Sequence, residues 1–128
     1  MALRLDHLTI SVSNRQKSER HYGILLPLVD FKRTAGGNWF DDEGLYIQIV
    51  DAKPGTSGYE RYGAGMNHVG FSLPTPEAVD KLRNALIAAG IECQPLQHFG
   101  GTVALFLPDP DGLRAEFSYY PPGTPPID

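Results

Sequence analysis

The sequence has 128 residues, a formal net charge of −4 and one cysteine, with 41% hydrophobic and 20% charged residues. This length allows one compact domain or two half-size modules that share a core. No basic stretch stands out to pair with phosphates, and no apolar run approaches the roughly 20 residues of a membrane-spanning helix, so neither nucleic acid nor membrane is an expected partner. A single cysteine excludes an internal disulfide and favours a reducing compartment, so we expect a cytoplasmic protein.

The first half of the chain, about residues 3–51, predicts a strand, a helix and three further strands. Alternating polar and apolar residues over 3–12 are typical of a half-buried strand. Asn14 can cap the following helix, and Pro27 is predicted to end it at Leu26 because proline cannot continue a helix freely. The three short strands are predicted at about 30–34, 38–41 and 44–51.

The second half, about residues 67–120, predicts the same order of elements after a linking loop at 52–66. Thr75 is a candidate N-cap with Pro76 at the first helical position, and Gly90 is a candidate C-cap. The later strands are predicted at about 91–95, 102–107 and 113–120, and a proline-rich tail at 121–128 is expected to be extended or disordered. Cys93, at the start of one predicted strand, is expected to be an unreactive thiol.

A repeat relates the two halves. Asp6-His7-Leu8-Thr9 matches Asn67-His68-Val69-Gly70, and in each half an acidic residue, glycine and leucine precede a polar residue four positions after the glycine. Those polar residues are Gln48 and Glu116. The repeat predicts an α+β fold of two βαβββ modules within a single domain.

Strand parity places one potential metal ligand on the polar face of each of four strands: His7, Gln48, His68 and Glu116. The opposite faces supply the predicted core: Leu8, Ile10, Val12, Ile47, Ile49, Val69, Phe71, Leu73, Ala115 and Phe117. Two imidazoles, an amide and a carboxylate suit a divalent Zn, Ni, Co, Mn or Fe(II) ion. A single histidine in a strand is more often structural, but two related modules that repeat the pattern favour a metal site.

The sequence resembles the vicinal oxygen chelate superfamily, the group of glyoxalases, bleomycin resistance proteins and extradiol dioxygenases. The resemblance extends over about residues 3–120 and rests on the two histidine motifs above and on Pro108-Asp109-Pro110-Asp111-Gly112-Leu113-Arg114-Ala115-Glu116. It implies a U-shaped, open-barrel cleft between the modules, with the four residues above as ligands. The sequence is most similar to small, uncharacterised glyoxalase-like proteins.

The resemblance leaves several activities open. A metal-dependent lyase or isomerase acting on a small oxo- or hydroxy-carbonyl compound is the principal expectation. A small-molecule binding or sequestration protein of the antibiotic-resistance type and a fosfomycin-type transferase are the alternatives. Bleomycin binders usually lack the ligand set, and the basic residues typical of fosfomycin transferases are represented near residues 97–102 by His98 alone.

Within the lyase or isomerase hypothesis, Glu116 is the candidate base because Gln48 cannot accept a proton. Thr9, Tyr46 and Arg114 point by parity towards the same face and are candidate substrate-binding residues. The other two histidines, His21 and His98, are expected at the surface or in loops. The open sheets leave an apolar side, and family resemblance together with the frequency of twofold pairing predicts a homodimer.

Overall fold

The computed structural model describes residues 1–127. The chain divides into two compact units, Met1–Gly58 (unit 1) and the segment that begins at Tyr59 (unit 2), so the boundary falls inside the predicted linking loop. Each unit contains one helix and one four-stranded mixed sheet in the order βαβββ. The predicted α+β fold of two βαβββ modules is confirmed.

Unit 1 has its strands in the sheet order β1-β4-β3-β2, with β1 parallel to β4 and the other neighbours antiparallel. The helix begins after Asn14, whose side chain accepts a hydrogen bond from the backbone N–H of Lys17 at 3.0 Å. Its elements are β1 (His7–Val12), α1 (Arg15–Leu28), β2 (Lys32–Arg33), β3 (Trp39–Phe40) and β4 (Tyr46–Asp51).

The helix α1 ends two residues later than predicted. Pro27 lies inside its last turn, where proline removes one backbone hydrogen bond but has a φ that suits the helix. The chain leaves the helix at Asp30, whose φ of 67° is left-handed, and the N–H of Phe31 donates to the carbonyl of Leu26 at 2.9 Å. The left-handed residue, rather than the proline, therefore ends this helix.

Unit 2 repeats the arrangement, with the sheet order β5-β8-β7-β6 and β5 parallel to β8. Thr75 caps the helix by accepting from the N–H of Ala78 at 3.1 Å, and Gly90 takes a φ of 90° just after it, as predicted. The elements are β5 (His68–Ser72), α2 (Pro76–Ala88), β6 (Gln97–Phe99), β7 (Thr102–Pro108) and β8 (Arg114–Tyr119).

Two strand predictions were wrong in position. The strand predicted at 91–95 lies instead at Gln97–Phe99, because the N–H of Ile91 donates to Leu86 at the helix end and Pro95 has no N–H to give to a sheet. The first strand begins at His7 and not at residue 3, since its partner β4 begins only at Tyr46. In both cases, apolar residues next to a helix end or near the N-terminus, such as Ile91 and Leu3, were predicted to lie in a strand.

The predicted core lies on the expected faces but is not uniformly buried. Val12, Ile47, Ile49 and Phe117 are buried, whereas the other predicted strand residues are half-buried. Much of the core comes from the helices and from β7, which contribute Leu25, Leu26, Val79, Leu82, Leu86, Leu105 and Leu107. The strands therefore keep one face for packing and leave the other available for polar side chains.

Candidate functional site

In unit 1, the face of β1 and β4 that points away from the core holds His7, Thr9 and Gln48. The parallel register sets Thr9 opposite Gln48, so Gln48 is one diagonal step from His7. The Thr9 hydroxyl donates to Gln48 Oε1 at 3.3 Å, which orients the amide oxygen. His7 Nδ1 lies 2.7 Å from Asp6 Oδ2. Since a carboxylate oxygen is an acceptor, Nδ1 carries a proton, and in the neutral ring Nε2 therefore presents the lone pair.

In unit 2, the same register brings His68 and Glu116 together. Gly70 is opposite Glu116, so Glu116 is again one diagonal step from the histidine. His68 Nε2 lies 3.5 Å from Glu116 Oε1, and His68 Nδ1 lies 2.7 Å from Asn67 Oδ1. The Asn67 amide nitrogen donates to the carbonyl of Arg61 at 3.0 Å, which fixes the orientation of the amide. The Nδ1 proton is thereby assigned in His68 as well, and Nε2 faces the carboxylate.

Two hydroxyl groups hold the other oxygen of Glu116. Ser118 Oγ donates to Glu116 Oε2 at 2.7 Å, and the Tyr120 hydroxyl donates to the same oxygen at 2.5 Å. Burial raises the pKa of Tyr120, and its hydrogen bond to Glu116 raises it further, so the phenol keeps its proton at neutral pH. Glu116 Oε1 therefore has no hydroxyl donor and faces His68 Nε2 at 3.5 Å.

The sequence prediction did not assign these supporting residues a role. Ser118 and Tyr120 follow Glu116 at spacings of two and four along one strand face, and that spacing was a signal that could have identified them. Asp6 and Asn67 were visible as the residue before each histidine, but such pairs are common in structural histidines. Their shared function emerges only when both Nδ1 contacts are seen.

The three predicted substrate-binding residues have distinct surroundings. Thr9 uses its hydroxyl on Gln48, as described. Tyr46 is 47% exposed and stacks on Phe40, with ring centroids 5.8 Å apart. Arg114 places its guanidinium carbon 4.3 Å from the centroid of the Phe106 ring. Burial lowers the pKa of Arg114, as does the neighbouring charge of Arg61. A role in substrate binding stays a prediction for all three.

Imidazole nitrogens with amide and carboxylate oxygens are suitable ligands for a divalent ion. Among residues 1–127, no three His, Cys, Asp or Glu side chains are grouped as a metal site would need. Each unit has one histidine whose neutral ring presents Nε2 as a donor, and one side-chain oxygen donor that is held by a hydroxyl. Outer-sphere contacts of this type orient and tune metal ligands, so each pair suits ligation.

The remaining nucleophilic and titratable residues lie outside these pairs. His21 was predicted at the surface, but it is buried in α1 against Tyr22, with ring centroids 5.0 Å apart, because that position faces the core of unit 1. His98 is exposed on β6, as predicted. Cys93 is half-buried, and burial raises the pKa of its thiol, which favours an unreactive form at neutral pH. No helix in residues 1–127 is long and apolar enough to cross a membrane.

The repeated βαβββ units and their matched registers define a class of protein. Residues 4–117 match the family model of the Glyoxalase/Bleomycin resistance protein/Dioxygenase superfamily. The match spans most of the chain, and the protein belongs to this superfamily.

Individual relatives agree in fold. The chain is 28% identical to the uncharacterized protein YqjT of Bacillus subtilis (strain 168) over 123 residues, which cover 88% of this chain and 95% of YqjT. A candidate glyoxalase from Bacillus halodurans has a similar structure, with a TM-score of 0.78, 21% identity and coverage of 91% and 95% of the two chains. A glyoxylase/bleomycin resistance protein/dioxygenase domain from Frankia sp. EAN1pec has a TM-score of 0.76, 21% identity and coverage of 97% and 96%.

Proposed function

We propose that this protein is a metal-dependent lyase or isomerase that removes a proton next to the carbonyl of a small oxo- or hydroxy-carbonyl compound. The observation that carries the proposal is the arrangement of Glu116, with Oε2 held by Ser118 and Tyr120 and Oε1 free towards His68 Nε2. A carboxylate prepared in this way can serve as both ligand and base. Members of the superfamily commonly use divalent metals.

The proposed ligands are His7, Gln48, His68 and Glu116. Two neutral imidazoles, one amide and one carboxylate bring a single negative charge, so a divalent ion would retain a formal charge of about +1. When bound, such an ion would supply Lewis-acid polarisation of a substrate carbonyl oxygen. The Asp6 and Asn67 contacts hold the histidines in the tautomer that ligation requires.

Glu116 is the proposed base through Oε1. Its other oxygen is occupied by two hydroxyl donors, so proton transfer to Oε1 leaves the side chain anchored. The carbon acid must lie next to a carbonyl, because only then does the developing negative charge spread to an oxygen that can be stabilised. Thr9, Tyr46 and Arg114 are the proposed substrate-binding residues. Thr9 acts through its contact with Gln48, whereas Arg114 offers positive charge on the face of Glu116.

The test combines metal analysis with isotope exchange. Protein purified without chelator should contain near-stoichiometric divalent metal, and in deuterated water it should exchange the proton next to the carbonyl in at least one compound of a panel of oxo- and hydroxy-carbonyls. Glu116→Gln should abolish exchange while it spares much of the binding. Glu92→Gln, which alters an exposed glutamate outside the site, is the matched control.

The contrary outcome is also informative. If metal-loaded protein binds members of the panel but exchanges no proton, the lyase or isomerase proposal fails. A binding or sequestration role would then replace it. A fosfomycin-type transferase would be recognised by thiol consumption with fosfomycin and no exchange.

The proposal includes a homodimer. Each unit is small, and large apolar side chains stay exposed near the start of unit 1, where Leu3 is 90% and Leu5 61% exposed. Twofold pairing is the commonest way to cover such surface. Sedimentation at micromolar concentration should give the mass of two chains, and a monomer under these conditions would contradict this part of the proposal.

A further inference from the structure

The segment at the start of unit 2 is held against β5 and the turn before β8. The Tyr59 hydroxyl lies 2.6 Å from the carbonyl of Met66 and 2.9 Å from that of Asn67, and these two acceptors share its single proton. The Tyr59 ring packs 3.8 Å from the position of a Cβ on Gly112. Asn67 donates to the carbonyl of Arg61 at 3.0 Å. These contacts fix Arg61 beside the first residues of β5.

A second arginine is positioned in the same region by the sheet. The register sets Arg114 directly opposite His68, and Arg114 shares its strand face with Glu116. Each guanidinium lies over an aromatic ring: that of Arg114 over Phe106 at 4.3 Å, and that of Arg61 over the neighbouring tyrosine, Tyr62, at 4.8 Å. Each ring covers one flat face of its guanidinium, and the N–H donors lie along the edge of the group, outside the stacking contact.

Neither arginine forms an ion pair with a carboxylate within residues 1–127. The Nε of each is buried, and no group in this part of the chain accepts a hydrogen bond from it. Both guanidinium groups therefore lack a partner for their charge and for this donor.

Such an arrangement is unfavourable unless something binds to it. Two like charges repel each other, and a buried donor without an acceptor loses its hydrogen bond to water without replacement. An oxyanion relieves both costs, because it brings negative charge and several acceptor lone pairs. The planar fork of arginine matches carboxylate and phosphoryl oxygens in particular.

We propose that Arg61 and Arg114 together bind an oxyanion group of the substrate, a carboxylate or a phosphoryl group, beside His68 and Glu116. This inference rests on the proposed function for the carbonyl group of the substrate. It narrows the substrate class to oxo- or hydroxy-carbonyl compounds that also carry an anionic group. Arg61, in the loop, is the residue that sequence reasoning did not identify.

The test follows the arginine side chains directly by NMR. In ¹⁵N-labelled full-length protein, the Nε–Hε resonances of Arg61 and Arg114 are assigned from Arg61→Gln and Arg114→Gln. Sodium acetate and methylphosphonate, which differ in the anionic group, are titrated separately at constant ionic strength. At least one of them should shift both resonances with a single dissociation constant, while the resonance of Arg20, exposed on α1, stays in place. The anion that binds more tightly identifies the group.

The variants sharpen the result. Arg61→Gln and Arg114→Gln should each weaken anion binding about tenfold or more, as expected for the loss of a hydrogen-bonded charge. Arg61→Lys, which keeps the charge, should recover part of this loss, and Arg20→Gln should change nothing. The proposal is overturned if neither anion shifts the two resonances, or if Arg61→Gln binds as tightly as the natural protein.

The titration also separates this inference from the proposed function. It is performed once after chelator treatment and once with added metal, and the arginine pair should bind the anion in both cases. Shifts in the chelated protein together with no deuterium exchange would uphold the anion site and reject the lyase or isomerase. Deuterium exchange without a shift of the two arginine resonances would uphold the lyase or isomerase and reject the anion site.

Discussion

The two units share one design but differ in how firmly they hold their candidate ligands. In unit 1 the His7 side chain is 62% exposed, and the Gln48 side chain accepts a hydrogen bond from Thr9 at 3.3 Å. In unit 2 the His68 side chain is 35% and that of Glu116 13% exposed, and two hydroxyls hold the carboxylate. The same strand register thus supports an open, weakly held pair and an enclosed, firmly held one.

The difference suggests a division of labour. A neutral amide in an open position can complete a coordination sphere but cannot exchange a proton. A carboxylate in a partly buried position, with one oxygen anchored, can do both because proximity to a fixed partner preserves its geometry. In the proposed function, Glu116 of unit 2 is both a metal ligand and the base, whereas His7 and Gln48 of unit 1 are metal ligands only.

The largest difference between the units should appear in the histidine variants. His68→Ala should lower metal affinity by more than about 100-fold, above the range for loss of an outer partner, because it removes a ligand from the enclosed pair. His7→Ala should cost less, since water can replace an exposed ligand. Competition with a chelating dye measures both, and His98→Ala, on an exposed strand, is the matched control. Equal losses from the two variants would contradict the comparison.

A smaller effect is expected when the support of Glu116 is removed. Ser118→Ala and Tyr120→Phe each delete one hydroxyl that donates to Oε2, and each should lower metal affinity or exchange rate by roughly 10-fold to 100-fold. Thermal unfolding shows whether stability is retained. Thr9→Val, which deletes the corresponding donor in unit 1, should have a weaker effect on the same measurements. A stronger effect from Thr9→Val would reverse the assigned roles.

The smallest expected change comes from making unit 1 resemble unit 2. Gln48→Glu replaces the amide by a carboxylate and adds one negative charge to the proposed ligand set. Metal affinity should rise about tenfold, because an additional anionic ligand favours a divalent ion. Calorimetric titration with zinc checks this. Unchanged or weaker binding would indicate that Gln48 is not a ligand.

The sequence predicted the repeat, the βαβββ order and the strand faces because these depend on local periodicity and turn residues. It did not predict the burial of His21, since helical periodicity alone does not show which adjacent polar residue the core will accept. It misplaced β6 because Ile91 and Cys93 provided an apolar signal, although Pro95 could not pair.

The parts of the candidate site that sequence did not reveal depend on contacts distant along the chain. Glu116 was identified by its position in the repeat, but Arg61 lies in a loop that has no counterpart in unit 1. Its position is determined by Asn67 and Tyr59, which hold backbone carbonyls, and such contacts leave no periodic pattern in the sequence.

The Asn67 side chain couples the tautomer of His68 to the position of the loop that contains Arg61. Its oxygen contacts His68 Nδ1 while its nitrogen contacts the carbonyl of Arg61, so one rotation of the amide would disrupt both contacts at once. Asp6, at the matching place in unit 1, has a carboxylate side chain, which can hold His7 Nδ1 but has no N–H group to donate to a loop carbonyl. The tautomer of His68 therefore depends on the path of the loop. A movement of the loop away from Asn67 would free the amide to rotate, and His68 Nδ1–H would lose the acceptor that keeps the proton on this nitrogen.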